Sequence, residues 1–222
     1  MNLPNATTPE HARQLEAYLD HLFAANRRQN LTRRLDRAQW RDIYFPQALS
    51  LSRWLPADAR VFDLGSGGGF PAVPLALTRP DLRWLLIESE QAKARFLTEL
   101  VADLELADRI EIWPHRAETA GQDPAWRGTA DAVTVCGVGR LAELVELALP
   151  LLRVGGELLA LKGTDVSEEL TAAAGALTKV GGRWLQTAAL PGPATCLRFC
   201  KSAPTPAQYP RAPGRPKKSP LR

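Results

Sequence analysis

RVFDLGSGGGFPAVPLAL, residues 60–77, decides the fold. Arg60 to Leu64 has the character of a short buried strand, and it runs directly into Gly65-Ser66-Gly67-Gly68-Gly69. The apolar run that follows keeps Pro71 and Pro74 near its start, where a helix tolerates them. A glycine-rich turn between a first strand and its helix lets backbone approach a ligand closely, and in such folds the ligand sits beyond the carboxyl ends of the strands. RWLLIE (83–88) reads as the second strand and ends on Glu88, 25 residues after Asp63. A carboxylate at that point can accept both hydroxyls of a ribose. Asp63, the glycines and Glu88 together describe a site for a nucleoside-containing cofactor.

Outward from this unit the pattern repeats. Strands are predicted at 109–113, 131–135 and 157–161, with helices at 89–104, 141–152 and about 165–177 between or after them. Strands alternating with helices of this length indicate a mostly parallel sheet covered on both faces. Two last strands, near 183–189 and 195–200, are joined by a loop holding Pro191, Gly192 and Pro193, so they should pair antiparallel. The expectation is an α/β, Rossmann-like domain over 58–202 with about seven strands. Residues 1–57 read as an N-terminal helical extension. Thr8 caps a first helix with Leu15, Tyr18, Leu19, Leu22 and Phe23 on one face; a second helical stretch over 36–45 is interrupted by Pro46, and an amphipathic piece continues to Leu55. Residues 203–222 hold six prolines and read as an extended basic tail without regular structure, too poor in apolar residues to add to a core.

The 222 residues suffice for one domain, and 45% hydrophobic content with 23% charge excludes wholesale disorder. No apolar run approaches the ~20 residues of a membrane span, and no secretory pattern opens the chain. Cys136, Cys196 and Cys200 form no disulfide framework and no metal set, so a reducing cytoplasm and no metal are expected; a monomer is expected as well. The net charge is +4, but the 53 residues after Glu169 carry +9 and the first 169 carry −5. Arg27, Arg28, Arg33, Arg34, Arg37 and Arg41 form a second basic stretch. This distribution suits a polyanionic partner.

Two cofactor classes fit the loop. Residues 67–72 satisfy G-x-G-x-x-A, the dinucleotide fingerprint. Against it, Asp63 sets a negative charge where a pyrophosphate would lie, and Pro71 and Pro74 remove amide donors from the helix start. D-x-G-x-G-x-G instead resembles motif I of the S-adenosylmethionine methyltransferases. That cofactor has no phosphate and carries ammonium and sulfonium groups, which an acid favours.

A more specific resemblance covers residues 28–222. VFDLGSGGGFPAVPLAL, IESEQAKARFL, HRAE, DAVTV, LLRVGGELLALKG, the Asn30-Leu31-Thr32 triplet and the tail TPAQYPRAPGRPKKSPL resemble the bacterial 16S rRNA guanine-N7 methyltransferase family, the glucose-inhibited division protein B family. The resemblance implies transfer of a methyl group from S-adenosyl-L-methionine to N7 of a guanine in 16S ribosomal RNA or the small subunit. It implies cofactor contacts at Asp63, Gly65, Gly67, Phe70 and Glu88, with Ala117 and Glu118 flanking the adenine and Cys136 at the end of the fourth strand. Arg116 and Lys162 would face the RNA. The chain departs from the family pattern where Gln47 and Ser50 stand in an R-H-x-x-D-S type stretch, and at Cys136, where the family has arginine.

Two other functions compete. Cys136 could act as a nucleophile on a cytosine, as in cytosine-C5 methyltransferases, although no Pro-Cys dipeptide supports it. The chain could also be an rRNA-binding protein that no longer catalyses, but Asp63, Glu88 and the glycines are all retained. His11 and His21 read as surface residues of the first helix, and His115 as a neighbour of the site.

Overall fold

The computed structural model describes residues 8–137 and 139–222. Helix α1 (Pro9–Asn26) begins at Thr8, whose hydroxyl accepts from the His11 N–H while the His11 ring accepts from the Thr8 N–H. His11 is therefore part of a reciprocal cap, a role beyond that of a surface residue. A continuous helical stretch follows: α2 (Arg37–Gln39), a π-helical turn Trp40–Tyr44, α3 (Phe45–Ser50) and a 3₁₀ turn Leu51–Trp54. Pro46 does not break it. The π turn bonds the Phe45 N–H to the Trp40 carbonyl, and this local widening accommodates a proline that has no N–H and would crowd a regular α-turn.

Then come β1 (Arg60–Leu64), α4 (Ala72–Thr78), β2 (Arg83–Ile87), α5 (Gln91–Asp103), β3 (Ile110–Trp113), α6 (Ala117–Gln122), β4 (Ala130–Cys136), α7 (Leu141–Ala148), β5 (Leu152–Lys162), α8 (Ser167–Lys179), β6 (Gly182–Leu190) and β7 (Ala194–Lys201). The seven strands form one sheet in the order β3-β2-β1-β4-β5-β7-β6. Strands β1 to β5 pair in parallel, while β7 runs antiparallel to both β5 and β6. The strand order reverses between β1 and β4, which puts a crevice at their carboxyl ends.

Alternation along the strands splits the core in two. Val61, Trp84, Leu86, Ala132 and Leu159 face α1, α3, α4 and α5. Phe62, Leu85, Val133, Leu158 and Phe199 face α6, α7 and α8. The N-terminal helices expected as an extension over 1–57 thus cover one face of the sheet, with Leu15, Tyr18, Leu19, Leu22, Trp40 and Phe45 fully buried in the first of these cores.

The tail departs from the sequence expectation. Residues 205–222 are docked against α6, α7 and α8, and Arg215–Lys218 forms a helical turn, α9. Pro210 and Pro216 are buried, and Tyr209 and Leu221 pack on the second core. Arg127 donates to the carbonyls of Thr205, Pro206 and Tyr209, and Gln122 donates to that of Pro210. Arg211 closes on the fully buried Glu146 with three bonds of 2.7–2.9 Å, one from its backbone. Proline removes regular hydrogen bonding, but side chains of the body supply donors to the tail's carbonyls instead.

Removing one partner of a buried ion pair costs about 3–5 kcal/mol, because the other charge is left uncompensated. Arg211→Ala should therefore lower the thermal midpoint by on the order of 10 °C. Deletion of residues 203–222 should lower it at least as far, and a melting curve by circular dichroism reads both.

Candidate functional site

The loop between β1 and α4 is gripped from both sides. The Glu88 carboxylate, just past β2, accepts from the Gly67 N–H at 2.9 Å and from the Glu90 N–H at 2.8 Å. From the other side, the Tyr18 hydroxyl of α1 donates to the Gly68 carbonyl at 2.9 Å. Gly67 and Gly69 have φ of +52° and +90°, left-handed values that strain any residue with a Cβ. At Gly68 a Cβ would lie 2.8 Å from Leu22 Cδ1, so the end of that side chain would have to shift.

Behind the loop lies Asp63, 1% exposed. Its Oδ1 accepts from the Thr134 hydroxyl at 2.6 Å, whereas Oδ2 is buried without a partner. Burial pushes its pKa up to about 7; the Thr134 and Ser66 hydroxyls oppose this and the Glu88 charge adds to it. A buried carboxylate with one orphaned oxygen is incomplete by itself, and a cation nearby would complete it.

The loop, Glu88 and α1 enclose a cavity of about 670 Å³. Tyr18, Leu31, Arg34, Trp40, Gly65, Gly67, Phe70, Glu88 and Cys136 line it. The wall from Asn30 to Arg34 is shaped by Asn26, whose side chain accepts from the N–H groups of Leu31 and Thr32 and donates to the Thr32 carbonyl. A second cavity of about 650 Å³ adjoins the first, sharing Arg34, Cys136 and Gly137 with it and reaching Tyr44, Gln47 and Lys162.

The sequence-derived site residues therefore divide. Gly65, Gly67, Phe70, Glu88 and Cys136 converge on the first cavity, with Asp63 buried behind it. Lys162 lines the second cavity, where it pairs with Glu169 and donates to the Gly139 carbonyl. Ala117, Glu118 and Arg116 lie outside both linings. Glu118 is buried, pairs with Arg116 at 3.1 Å and accepts from the Gly214 N–H at 2.8 Å. Burial raises its pKa, but these two donors outweigh burial and hold it below the ordinary value. Its side chain ties the tail to the start of α6. Gln47 is buried and donates to the Pro191 carbonyl, a structural bond to the β6–β7 loop. His115 is exposed and meets the Trp113 ring edge-on, and it lines neither cavity.

Of the basic residues, Arg37 and Arg41 are engaged by Glu16, and Arg211 by Glu146. Arg27, Arg28, Arg33, Arg215, Lys217 and Lys218 remain exposed. Tyr18, Thr134 and Asn26 join the site only in the folded chain. Tyr18 carries the same apolar-face signal as its core neighbours, and nothing local marks a hydroxyl that will meet a loop 50 residues away.

Comparison with known proteins agrees with this geometry. Residues 11–194 match the family model described as GidB, rRNA small subunit methyltransferase G. A ribosomal RNA small subunit methyltransferase G of Chloroflexus aggregans is 42% identical over 94% of this chain and 89% of its own length. The protein of that name from Deinococcus radiodurans is 40% identical over 95% of this chain and 86% of its own. Among solved structures, a SAM-dependent methyltransferase from Aquifex aeolicus superposes with a TM-score of 0.57 at 13% identity, covering 75% of this chain and 94% of that one. A 16S rRNA (adenine(1408)-N(1))-methyltransferase from Catenulisporales acidiphilia gives 0.56 at 16% identity, covering 73% and 91%. These two likenesses speak for the fold. The glycine loop held by a strand-end carboxylate, the sheet order around it and the relatives that span nearly the whole chain agree, and the protein belongs to the GidB family, rRNA small subunit methyltransferase G.

Proposed function

We propose that this chain is an S-adenosylmethionine-dependent methyltransferase acting on N7 of a guanine in 16S ribosomal RNA, in the cytoplasm and as a monomer. The observation that carries the cofactor is the pairing of Glu88 at the end of β2 with the half-satisfied buried Asp63 behind the glycine loop. Each Glu88 oxygen already accepts one backbone N–H, which fixes the carboxylate and leaves one acceptor position per oxygen for ribose hydroxyls. Asp63 favours a ligand with positive groups and repels a pyrophosphate, which speaks against a nicotinamide dinucleotide. Pro71 at the entry to α4 adds to that, since it has no N–H to offer a phosphate.

The cofactor supplies an activated methyl group on a sulfonium. The protein's part is alignment. Guanine N7 has an in-plane lone pair and needs no base to deprotonate it, so orientation in a walled cavity can supply much of the acceleration. The second cavity adjoins the first at Arg34 and Cys136 and offers room for a base. A cytosine-C5 mechanism needs a thiolate at Cys136, but burial raises that thiol's pKa against the opposing pull of Arg34. A non-catalytic binder would have no use for the intact loop. Exposed Arg27, Arg28 and Arg33, with Arg215, Lys217 and Lys218 of the docked tail, are the cations available to rRNA phosphates. The support for rRNA as substrate is the family.

The decisive experiment is methyl transfer from labelled S-adenosylmethionine to purified 16S rRNA and small subunits, with nucleoside analysis. Appearance of 7-methylguanosine is expected, and a different methylated nucleoside would overturn the assignment of the target atom. Glu88→Ala should weaken cofactor binding at least about tenfold, since a hydrogen bond to a charged group contributes about 1.5–3 kcal/mol. Calorimetry reads this.

The Asp63 pKa sets two pH dependences. A positively charged ligand favours the ionised carboxylate, so cofactor affinity should rise with pH up to about 7 and level off above it. In the unliganded protein Asp63 holds its proton more tightly folded than unfolded. Its contribution to stability is full below the ordinary value of 3.8 and is lost as pH rises through about 7. Asp63→Asn should therefore flatten the affinity profile, and it should raise the melting temperature more at pH 8 than at pH 4.

A further inference from the structure

Arg34 is held in an unusual setting. Its guanidinium carbon lies 4.3 Å from the centre of the Tyr44 ring and 4.9 Å from that of Phe70. Nη2 reaches Cys136 Sγ at 3.7 Å. The backbone is fixed as well, because the Arg34 N–H donates to the Thr32 hydroxyl and its carbonyl accepts from the Trp40 indole at 2.8 Å. Among the described residues no carboxylate lies within ion-pair distance of Arg34, and a thiol is the sole side-chain acceptor its five N–H donors meet. It is a planar cationic fork clamped between two rings, half-buried, with its hydrogen-bonding edge largely unused.

The other cations lining the cofactor cavity do not share this setting. Lys93 pairs with Glu90 at 2.8 Å, and Arg33 is exposed. Across the same cavity the buried charge has the opposite sign. Asp63 lies buried behind the glycine loop, and its charge and that of Arg34 act in opposite directions on Tyr18 and Cys136, which both line the cavity. A half-satisfied carboxylate buried behind the cavity and an unpaired planar cation on its wall complement a zwitterion, and the amino-acid end of S-adenosylmethionine is one.

We propose that Arg34 binds the carboxylate of the cofactor's methionyl group, opposite the negative charge that Asp63 sets for its ammonium. This rests on the cofactor assignment above and adds a residue to it. The fork suits a carboxylate because two parallel N–H donors meet its two oxygens. It also gives Cys136 a role. A small thiol at the end of β4 leaves room for a guanidinium that arrives from the N-terminal segment.

The test is a calorimetric titration of the wild-type protein and Arg34→Ala with S-adenosylhomocysteine and with 5′-methylthioadenosine, which keeps the adenosine and thioether but lacks the amino acid. Arg34→Ala should weaken S-adenosylhomocysteine roughly ten- to hundredfold and leave 5′-methylthioadenosine within about twofold. Arg34→Lys, which keeps the charge but not the fork, should fall between, and it stands in if the alanine variant fails to fold. Adding Cys136→Arg to Arg34→Ala returns a guanidinium to the same contact and should recover part of the lost affinity. Equal loss for both ligands would show that Arg34 only shapes the pocket and would overturn the proposal. Unchanged cofactor affinity with a raised KM for rRNA would overturn it too, assigning Arg34 to the substrate. Absence of any binding of S-adenosylhomocysteine by the wild-type protein would instead overturn the cofactor assignment itself.

Discussion

The structure turns on the double grip on the Gly65–Gly69 loop. Glu88 holds it from the sheet through the Gly67 N–H, and Tyr18 holds it from α1 through the Gly68 carbonyl. Glu88 is aimed by the parallel register of β1 and β2, which sets Leu64 opposite Ile87. Tyr18 is aimed by the burial of Leu15, Leu19 and Leu22 around it and by its edge contact with Trp40. Glycine suits the grip, because the left-handed backbone at Gly67 and Gly69 would strain any residue with a Cβ. The N-terminal helices are in this way part of the ligand cavity as well as cover for the sheet.

Buried carboxylates serve opposite ends in this molecule. Glu146 is fully buried but saturated by the Arg211 side chain and backbone, and it fastens the tail. Asp63 is equally buried but has one partner for two oxygens, and its pKa rises accordingly. A satisfied buried charge acts as structure, whereas a half-satisfied one stores a preference for a ligand. Glu118 lies with the first kind. It sits where a cofactor contact was expected, yet its side chain is committed to Arg116 and Gly214.

The basic residues show a similar sorting. Clustering of arginines over 27–41 suggested one surface for a polyanion, but tertiary contacts separate them. Arg37 and Arg41 brace α1 through Glu16, Arg34 turns inward between two rings, and Arg27, Arg28 and Arg33 stay outside. Cation count along the chain overstates what is available to RNA, because paired guanidiniums release few counterions.

Local pattern was enough for much of this. Strand β1, the glycine turn and Glu88 were legible because a period-two apolar run, consecutive glycines and a strand-end acid each have a meaning that does not depend on distant residues. The antiparallel end of the sheet was legible from a short loop between two strands. The passage of the helix through Pro46 was not, since a π turn is a neighbour's accommodation and leaves no mark at the proline. Nor was the docking of the tail, because prolines and arginines look solvated until Arg127, Gln122 and Glu146, far off in sequence, offer partners. The sequence by itself determined the fold class, the glycine loop and the family. Tertiary structure alone decided which charges meet: that Arg34 faces the cavity beside Cys136, that Arg211 is spent on Glu146, and that Tyr18 reaches the loop. Secondary structure is written in spacings of two to four residues, while charge pairing is fixed by distances that only the folded chain defines.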